Sequence, residues 1–442
     1  MITIKTKLLF SLLILSLLFG GCTTNIDAVK LNKGEAISMV IVTDLHYLDQ
    51  SLFDSGSAFE KYSANGDGRM LRYNNDIIDA FVDRMIETKP DILIISGDLT
   101  HNGEKISHTA LAKKLARIEK EAGTRVYVIP GNHDIKNAWA RAFVGDQQIK
   151  TKSISWTDFA KIYAAFGYDE ATMRDPVSLS YLVQPSDDLW LLMLDSNHYS
   201  KSKLDWEPSS NGKIQTETLD WIRRMAERAK ASGARILTVM HHNLISHNEL
   251  FTGYTLDNSY DVKTLFHELG LNLVLSGHLH IQDIKKDRFS ADPLYDIATE
   301  SLQMYPFQYG TLRYDPHTGF DYETKQLDIE DWAYKQGHTD VNLLHFSEYA
   351  KTNFYQVSYL KASSRLEKLD LYTQTQIDAM ASTMALLNLY YFSGRSDEIR
   401  DEILSSQGYI EWSKATEPEF TQDYIFLMTR KSLFDNNRIH ID

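Results

Sequence analysis

A chain of 442 residues is too long for one small domain, and two domains are the natural expectation. Hydrophobic residues at 43% and charged residues at 24% are ordinary globular proportions. The net charge of -14 weighs against a nucleic-acid polymer as the main partner, because phosphate backbones are held by basic surface.

The chain opens with Lys5 and Lys7, an apolar run over Leu8–Phe19, two glycines and Cys22. The run is too short for a comfortable membrane span, and small residues before a cut fit a secretory signal over residues 1–21. The sequence around Cys22 resembles a bacterial lipoprotein signal, although Phe19 is bulkier than that motif's usual residue. The resemblance implies that Cys22 is acylated and becomes the new N-terminus, with the protein held in the cell envelope on the extracytoplasmic side of a membrane. The chain has no second cysteine, so no intramolecular disulfide can form. Residues 22–35 are polar and read as a tether.

Ala36–Thr43 is a continuous apolar run, expected as a buried strand, and Asp44-Leu45-His46 ends it. Ser51–Asp67 reads as a loop and Leu71–Lys89 as a helix stopped by Pro90. The pattern repeats with a strand at Ile92–Ser96 before Gly97-Asp98, a helix at Lys105–Ala122, and a strand at Arg125–Pro130 before Gly131-Asn132-His133-Asp134. Further strands are expected at Leu189–Leu194, Arg235–Met240 (before His241-His242) and Leu273–Ser276 (before Gly277-His278-Leu279-His280). Helices are expected at Trp156–Phe166, Thr216–Ala231 and Val262–Leu269. Pro293–Thr299, Tyr309–Tyr314 and Phe320–Gln326 read as extra strands. Residues 36–327 therefore suggest an α/β layered sandwich of mixed β-sheets flanked by helices. From Asp328 the spacing turns helical, and residues 328–442 are expected as a linker and an α-helical bundle, a candidate surface for oligomerisation or a lid over the substrate.

Five polar clusters thus follow five apolar runs, and they can converge on one edge of a sheet. Carboxylate, imidazole and amide groups are the ligands that borderline divalent metals prefer. Two such ions can hold and polarise a water and clamp both sides of an in-line displacement, which suits a phosphate ester. Each cluster alone has a bland explanation as a cap, turn or packing feature. That explanation must hold independently at all five places, so the metal reading is favoured.

The constellation Asp44-Leu45-His46, Gly97-Asp98, Gly131-Asn132-His133-Asp134, His241 and Gly277-His278-Leu279-His280 resembles the calcineurin-like metallophosphoesterase superfamily. The resemblance implies two divalent metal ions (Mn, Fe, Co or Zn), one held by Asp44, His46, Asp98 and His280, the other by Asp98, Asn132, His241 and His278. It implies in-line attack of a metal-bridging hydroxide, with His133 protonating the leaving oxygen and Asp134 orienting the His133 imidazole. His242, His101 and Asn102 are expected to contact substrate. His101 stands where purple acid phosphatases carry a tyrosine, and Asp134 where phosphoprotein phosphatases carry a glutamate. The pattern therefore most resembles class III cyclic nucleotide phosphodiesterases, in a lipoprotein branch with a helical C-terminal domain. The implied substrate is a small-molecule phosphodiester, 3',5'-cyclic nucleotides foremost. The alternatives are a nucleotidase or broad phosphomonoesterase and, of another class, a lipid-anchored binding or scaffold protein.

Overall fold

The strands expected from apolar runs are present: β1 (Ile37–Val42), β2 (Ile92–Ser96) and β3 (Arg125–Ile129) pair in parallel in that order. The computed structural model describes residues 30–64, 66–198, 206–287 and 292–442. The signal segment, Cys22, most of the tether and Tyr199 lie outside the described residues.

After β3 come a separate hairpin, β4 (Arg141–Val144) with β5 (Gln147–Lys150), then β6 (Met173–Arg174), β7 (Tyr181–Val183) and β8 (Leu189–Leu194). They are followed by β9 (Arg235–Met240), β10 (Leu273–Ser276), β11 (Asp283–Lys286) and β12 (Tyr295–Ala298). These form a second sheet in the order β11-β12-β10-β9-β8-β7-β6. The strands β13 (Gln308–Asp315), β14 (Gly319–Gln326) and β15 (Arg438–Ile441) complete the first sheet in the order β15-β14-β13-β1-β2-β3.

The two sheets share a core, and helices cover their outer faces. Strand β8 shows why the runs are continuously apolar: alternate side chains point to opposite faces. Leu189, Leu191 and Met193 join the core shared with Ile41, Ile94 and Val128 of the first sheet. Trp190, Leu192 and Leu194 pack instead with Trp221, Ile222, Val262 and Phe266. The catalytic-region helices are α1 (Ser57–Ala64), α2 (Asn74–Thr88), α3 (Lys105–Ala122), α4 (Trp156–Ile162), α5 (Thr216–Ser232) and α6 (Ser259–Leu269). Helices α2 and α3 bring Ile77, Phe81, Leu111 and Leu115 to the first sheet, while α5 and α6 cover the second.

Helices α7 (Ile329–Lys335), α8 (Val341–Leu344), α9 (Phe346–Glu367) and α10 (Gln374–Tyr391) follow, then α11 (Ser396–Ser405), α12 (Gln407–Lys414) and α13 (Glu419–Met428). A capping box between Thr373 and Gln376 starts α10. Leu366, Met380, Leu387, Trp412 and Ile425 form the centre of this bundle. The buried Trp412 indole N–H donates to the Met380 carbonyl at 2.8 Å.

Three expectations need correction. Ser51–Asp67 is not all loop, because α1 lies within it and buries Ala58 and Phe59. The helix expected from Leu71 begins at Asn74, since Leu71–Tyr73 is a 3-10 turn. The stretch 328–442 is not helical to its end: β15 leaves the bundle and pairs antiparallel with β14.

Candidate metal centre

The five polar clusters follow β1, β2, β3, β9 and β10, at the carboxyl ends of strands in both sheets. The expectation of one sheet edge is therefore corrected to the facing ends of two. Five of the nine non-glycine residues with positive φ among the described residues are Asp44, His46, Asp98, His278 and His280. A left-handed backbone costs on the order of 1–3 kcal/mol per residue and persists where the surroundings hold it. Here it turns the chain sharply off β1, β2 and β10. Two glycines allow the loops to touch. A side chain at Gly97, whose φ is 102°, would collide with the His241 ring, and one at Gly131 would collide with Asp98.

The loops bring seven expected metal ligands together. His46 Nε2 lies 3.0 Å from His280 Nε2, and Asp44 Oδ1 lies 3.4 Å from His280 Nε2 and 3.8 Å from His46 Nε2. On the other side, His241 Nε2 lies 3.1 Å from Asn132 Oδ1 and 3.2 Å from His278 Nδ1. Asp98 Oδ2 stands between the two groups, 3.7 Å from His46 Nε2 and 3.6 Å from His241 Nε2.

Surrounding carbonyls select the nitrogens that face inward. His241 Nδ1 donates to the Ser96 carbonyl at 2.9 Å, which turns Nε2 toward Asp98. His278 Nε2 donates to the Ser210 carbonyl at 2.9 Å, which leaves Nδ1 toward His241. Burial holds His46 well below the usual histidine range, and burial with the neighbouring His241 charge lowers His278 to about 3. Burial alone would raise Asp98, but the adjacent His241 and His133 hold it well below the usual carboxylate range. The site thus combines ionised carboxylates with the neutral imidazoles of His46 and His278. Burial would lower His241, but Asp98 outweighs it and raises His241 to about 9, so a divalent ion bound there would take the place of its Nε2 proton.

A metal fits this donor set. Asp44 Oδ1 is buried with no hydrogen-bond partner, although two imidazole nitrogens lie within 3.8 Å of it. Ligand atoms of Asp44, His46 and His280, and those of Asp44, Asp98 and His241, converge within 4.8 Å of one another. Both groups contain an acidic oxygen and imidazole nitrogen, which suits a divalent first-row ion.

His133 sits beside this cluster, its ring 5.1 Å from that of His46. Its expected orienting residue is corrected. Asp134 does not hold the imidazole: its carboxylate accepts N–H bonds from Leu99, Thr100 and Gly131 and the Thr100 hydroxyl, at 2.8–3.0 Å. Burial and the Asp98 charge raise Asp134 above the ordinary carboxylate range, while these donors pull it back. His133 Nδ1 instead faces Asn102 Oδ1 at 3.0 Å and the His101 carbonyl at 3.1 Å. Both are acceptors, so they hold the proton on Nδ1 and leave Nε2 free. Burial lowers the His133 pKa, and the carboxylate that opposes this is Asp98.

The three residues expected to contact substrate are all buried beside the centre. Asn102 is buried and spends its side-chain carbonyl on His133 and Asn137. His101 is buried, with Nε2 bonded to the Tyr62 hydroxyl at 2.8 Å. His242 is buried behind His278, with Nδ1 on the Ser196 hydroxyl at 2.8 Å. All three support the groups that face the centre. Asn197 donates to the Pro130 carbonyl beneath the same loop, and His198, which lines a small cavity with Gly131 and Asn132, pairs with Asp257.

Several neighbours of the centre carry no local sequence signal. Asp67 accepts from Arg69 Nε at 2.8 Å and lies 3.9 Å from His280 Nδ1, yet Asp67 ends the stretch expected as plain loop and Arg69 lies just beyond it. The Arg69 charge contributes to lowering His46, His101 and His133, and its Nη1 is buried without a partner.

Comparison with known proteins adds to this geometry. A family described as calcineurin-like phosphoesterase matches residues 37–282, and one described as the C-terminal domain of cyclic nucleotide phosphodiesterase matches residues 328–433. A curated relative from Vesicomyosocius okutanii subsp. Calyptogena okutanii, described as "Probable cyclic nucleotide phosphodiesterase", is 39% identical over 62 residues. That match covers 14% of this chain and only 25% of the relative's length. A solved dimetal phosphatase from Danio rerio is similar with a TM-score of 0.45 and 12% identity, covering 66% of this chain and 95% of the other.

Proposed function

The chain belongs to the calcineurin-like phosphoesterase family, and from that premise we propose that it is a binuclear-metal phosphodiesterase acting foremost on 3',5'-cyclic nucleotides. The observation that carries the reading is the position of Asp98 Oδ2 between His46 and His241. One carboxylate there can serve two ions. Asp44, His46, Asp98 and His280 would hold the first, and Asp98, Asn132, His241 and His278 the second. Mn, Fe, Co and Zn all suit these oxygen and nitrogen donors. When bound, such ions supply positive charge for the phosphoryl oxygens and an activated water at neutral pH.

The chain's own residues do the rest. Asn102 and the His101 carbonyl fix the His133 ring with its Nδ1 proton turned inward, so Nε2 is the atom that carries the transferable proton. His133 in its protonated form gives that proton to the departing ribose oxygen; burial lowers its pKa, and the Asp98 charge offsets part of that lowering. Among the described residues no helix is long and apolar enough to cross a membrane. A membrane location through acylation of Cys22 is part of the proposal, and labelling with an alkyne fatty acid would detect it in the parent and lose it in Cys22→Ser.

The function is tested by removing metal and reloading the full chain with each of Mn, Fe, Co and Zn. Cyclic nucleotides, linear diesters and monoesters are then compared as substrates. The reading predicts metal-dependent cleavage of cyclic nucleotides and bis(p-nitrophenyl) phosphate. Cleavage of monoesters alone would establish a nucleotidase or phosphomonoesterase instead. Partner binding without any turnover would favour a scaffold.

A further inference from the structure

A cavity of about 460 Å³ opens between the metal centre and the helical bundle. His278 and His280 line one side, and side chains of α9, α10 and α13 line the other. It is the place where the bundle reaches the candidate metal ligands.

Its wall is a ladder of aromatic rings that starts at the metal centre. The Tyr254 ring lies 5.1 Å from that of His278, and Phe251 follows at 5.8 Å from Tyr254. Phe251 in turn lies 5.6 Å from Phe420 and 5.8 Å from Tyr424. Tyr254 and Phe251 are half-buried, and Phe420 is 46% exposed, so ring surface remains open to a ligand. Exposed aromatics that adjoin a polar catalytic centre are poor core residues but good stacking platforms.

The polar lining complements such a ligand. Lys361 and Arg365 of α9 face the cavity, and Asp67 is its one acidic lining residue, a local positive excess on a chain of net charge -14. Asn248 and Asn388 line it too. Among the described residues each amide nitrogen donates one bond within the protein, to the Tyr391 hydroxyl at 3.1 Å and the Ser358 hydroxyl at 3.2 Å. An amide nitrogen has two protons, so one of each remains for a base edge.

We propose that this interdomain cavity binds the nucleoside half of the substrate, with Tyr254, Phe251 and Phe420 stacking on the base. The inference rests on the phosphodiesterase reading for its placement, since a phosphate held at His278 and His280 delivers its nucleoside to this wall. The helical bundle then sets substrate preference rather than serving only as a scaffold. A small diester without a base meets the metal centre and leaves the wall unused.

Two measurements on the full chain test this separately from catalysis. Adenosine, which has no phosphate, is titrated calorimetrically into the parent and into Tyr254→Leu and Phe420→Leu, two partly exposed positions. In parallel, kcat/KM is compared for thymidine 5'-(p-nitrophenyl phosphate) and methyl p-nitrophenyl phosphate, which share a leaving group. The expected results are adenosine binding by the parent, at least about tenfold weaker binding in each variant, and a fall of about tenfold in the preference for the nucleoside diester, the range that base stacking supplies. If the parent fails to bind adenosine, or both variants keep the parent's affinity and preference, the inference is overturned. Adenosine binding that the variants lose, with neither ester hydrolysed, supports the nucleoside site while removing the phosphodiesterase reading.

Discussion

The Asn102 side-chain carbonyl lies 3.0 Å from His133 Nδ1, bridging 31 residues of chain to orient the ring beside the metal centre. Asn102 is therefore a positioning residue. Asn102→Ala is expected to lower kcat on a cyclic nucleotide about tenfold, the equivalent of one lost hydrogen bond, with KM little changed. The matching assay with bis(p-nitrophenyl) phosphate, whose leaving group departs without a proton, should show a much smaller loss. Equal losses on both substrates would mean that Asn102 acts on folding alone.

His133 itself is expected to show the larger version of that contrast. His133→Asn should reduce cyclic nucleotide turnover by about 10²–10⁴-fold, the usual worth of a general acid, and affect the activated diester far less. Steady-state kinetics on the two substrates measures it. A variant equally impaired on both would place His133 outside proton transfer.

Asp134 is predicted to matter for stability. Its carboxylate gathers the Leu99, Thr100 and Gly131 N–H groups and the Thr100 hydroxyl. Asp134→Asn turns an amide N–H₂ toward some of these donors and is expected to cost about 1–3 kcal/mol. Denaturant unfolding should show the loss. The pH profile of the folded fraction should keep the parent's shape, because Asp134 does not touch the His133 ring. A displaced profile would restore Asp134 to the catalytic role that its sequence position suggested.

Away from the centre, His247 gives a pH-dependent contribution to stability. Its Nδ1 lies 2.9 Å from Asp283, and its Nε2 lies 3.5 Å from Asp296. Burial alone would lower it, but the two carboxylates outweigh burial and raise it to about 9. A folded-state pKa above the unfolded value near 6.5 means that the stabilisation is complete below about pH 6.5. It is lost as pH rises through 9. On the order of 3 kcal/mol should disappear across that window. Unfolding free energies measured from pH 6 to 10 should show the decline in the parent and a flatter profile in His247→Gln. Parallel profiles would contradict the assignment.

The strands were legible because both faces of each sheet are covered. Leu189–Leu194 is apolar throughout and Arg235–Met240 is buried from Ile236 onward, and the residues that end them had to be polar for another reason. The convergence of the five polar clusters followed from that pattern, and the seven ligand candidates among them from the family resemblance. What stayed hidden depends on distant or short-range partners. Strand β15 reads Arg-Ile-His-Ile with only Ile441 buried, so no long apolar signal marks it. Helix α1 buries too few residues to show a period. Leu99 and Thr100, which donate to Asp134, and Asn102, which faces His133, are more than thirty residues away in the chain, so adjacency in sequence suggested the wrong pair. The aromatic wall joins Tyr254 to Phe420 across two domains, and no spacing rule could have linked them.

The central claim is that two ions share Asp98. Anomalous diffraction from crystals of the Mn-loaded full chain, combined with elemental analysis, tests it most directly. The account predicts two ions per chain, one beside Asp44, His46 and His280 and one beside Asn132, His241 and His278, with an Asp98 carboxylate oxygen between them. It further predicts that Asp98→Asn drops the content below two ions. A single ion in the parent, or two ions that leave Asp98 uncoordinated, would contradict it.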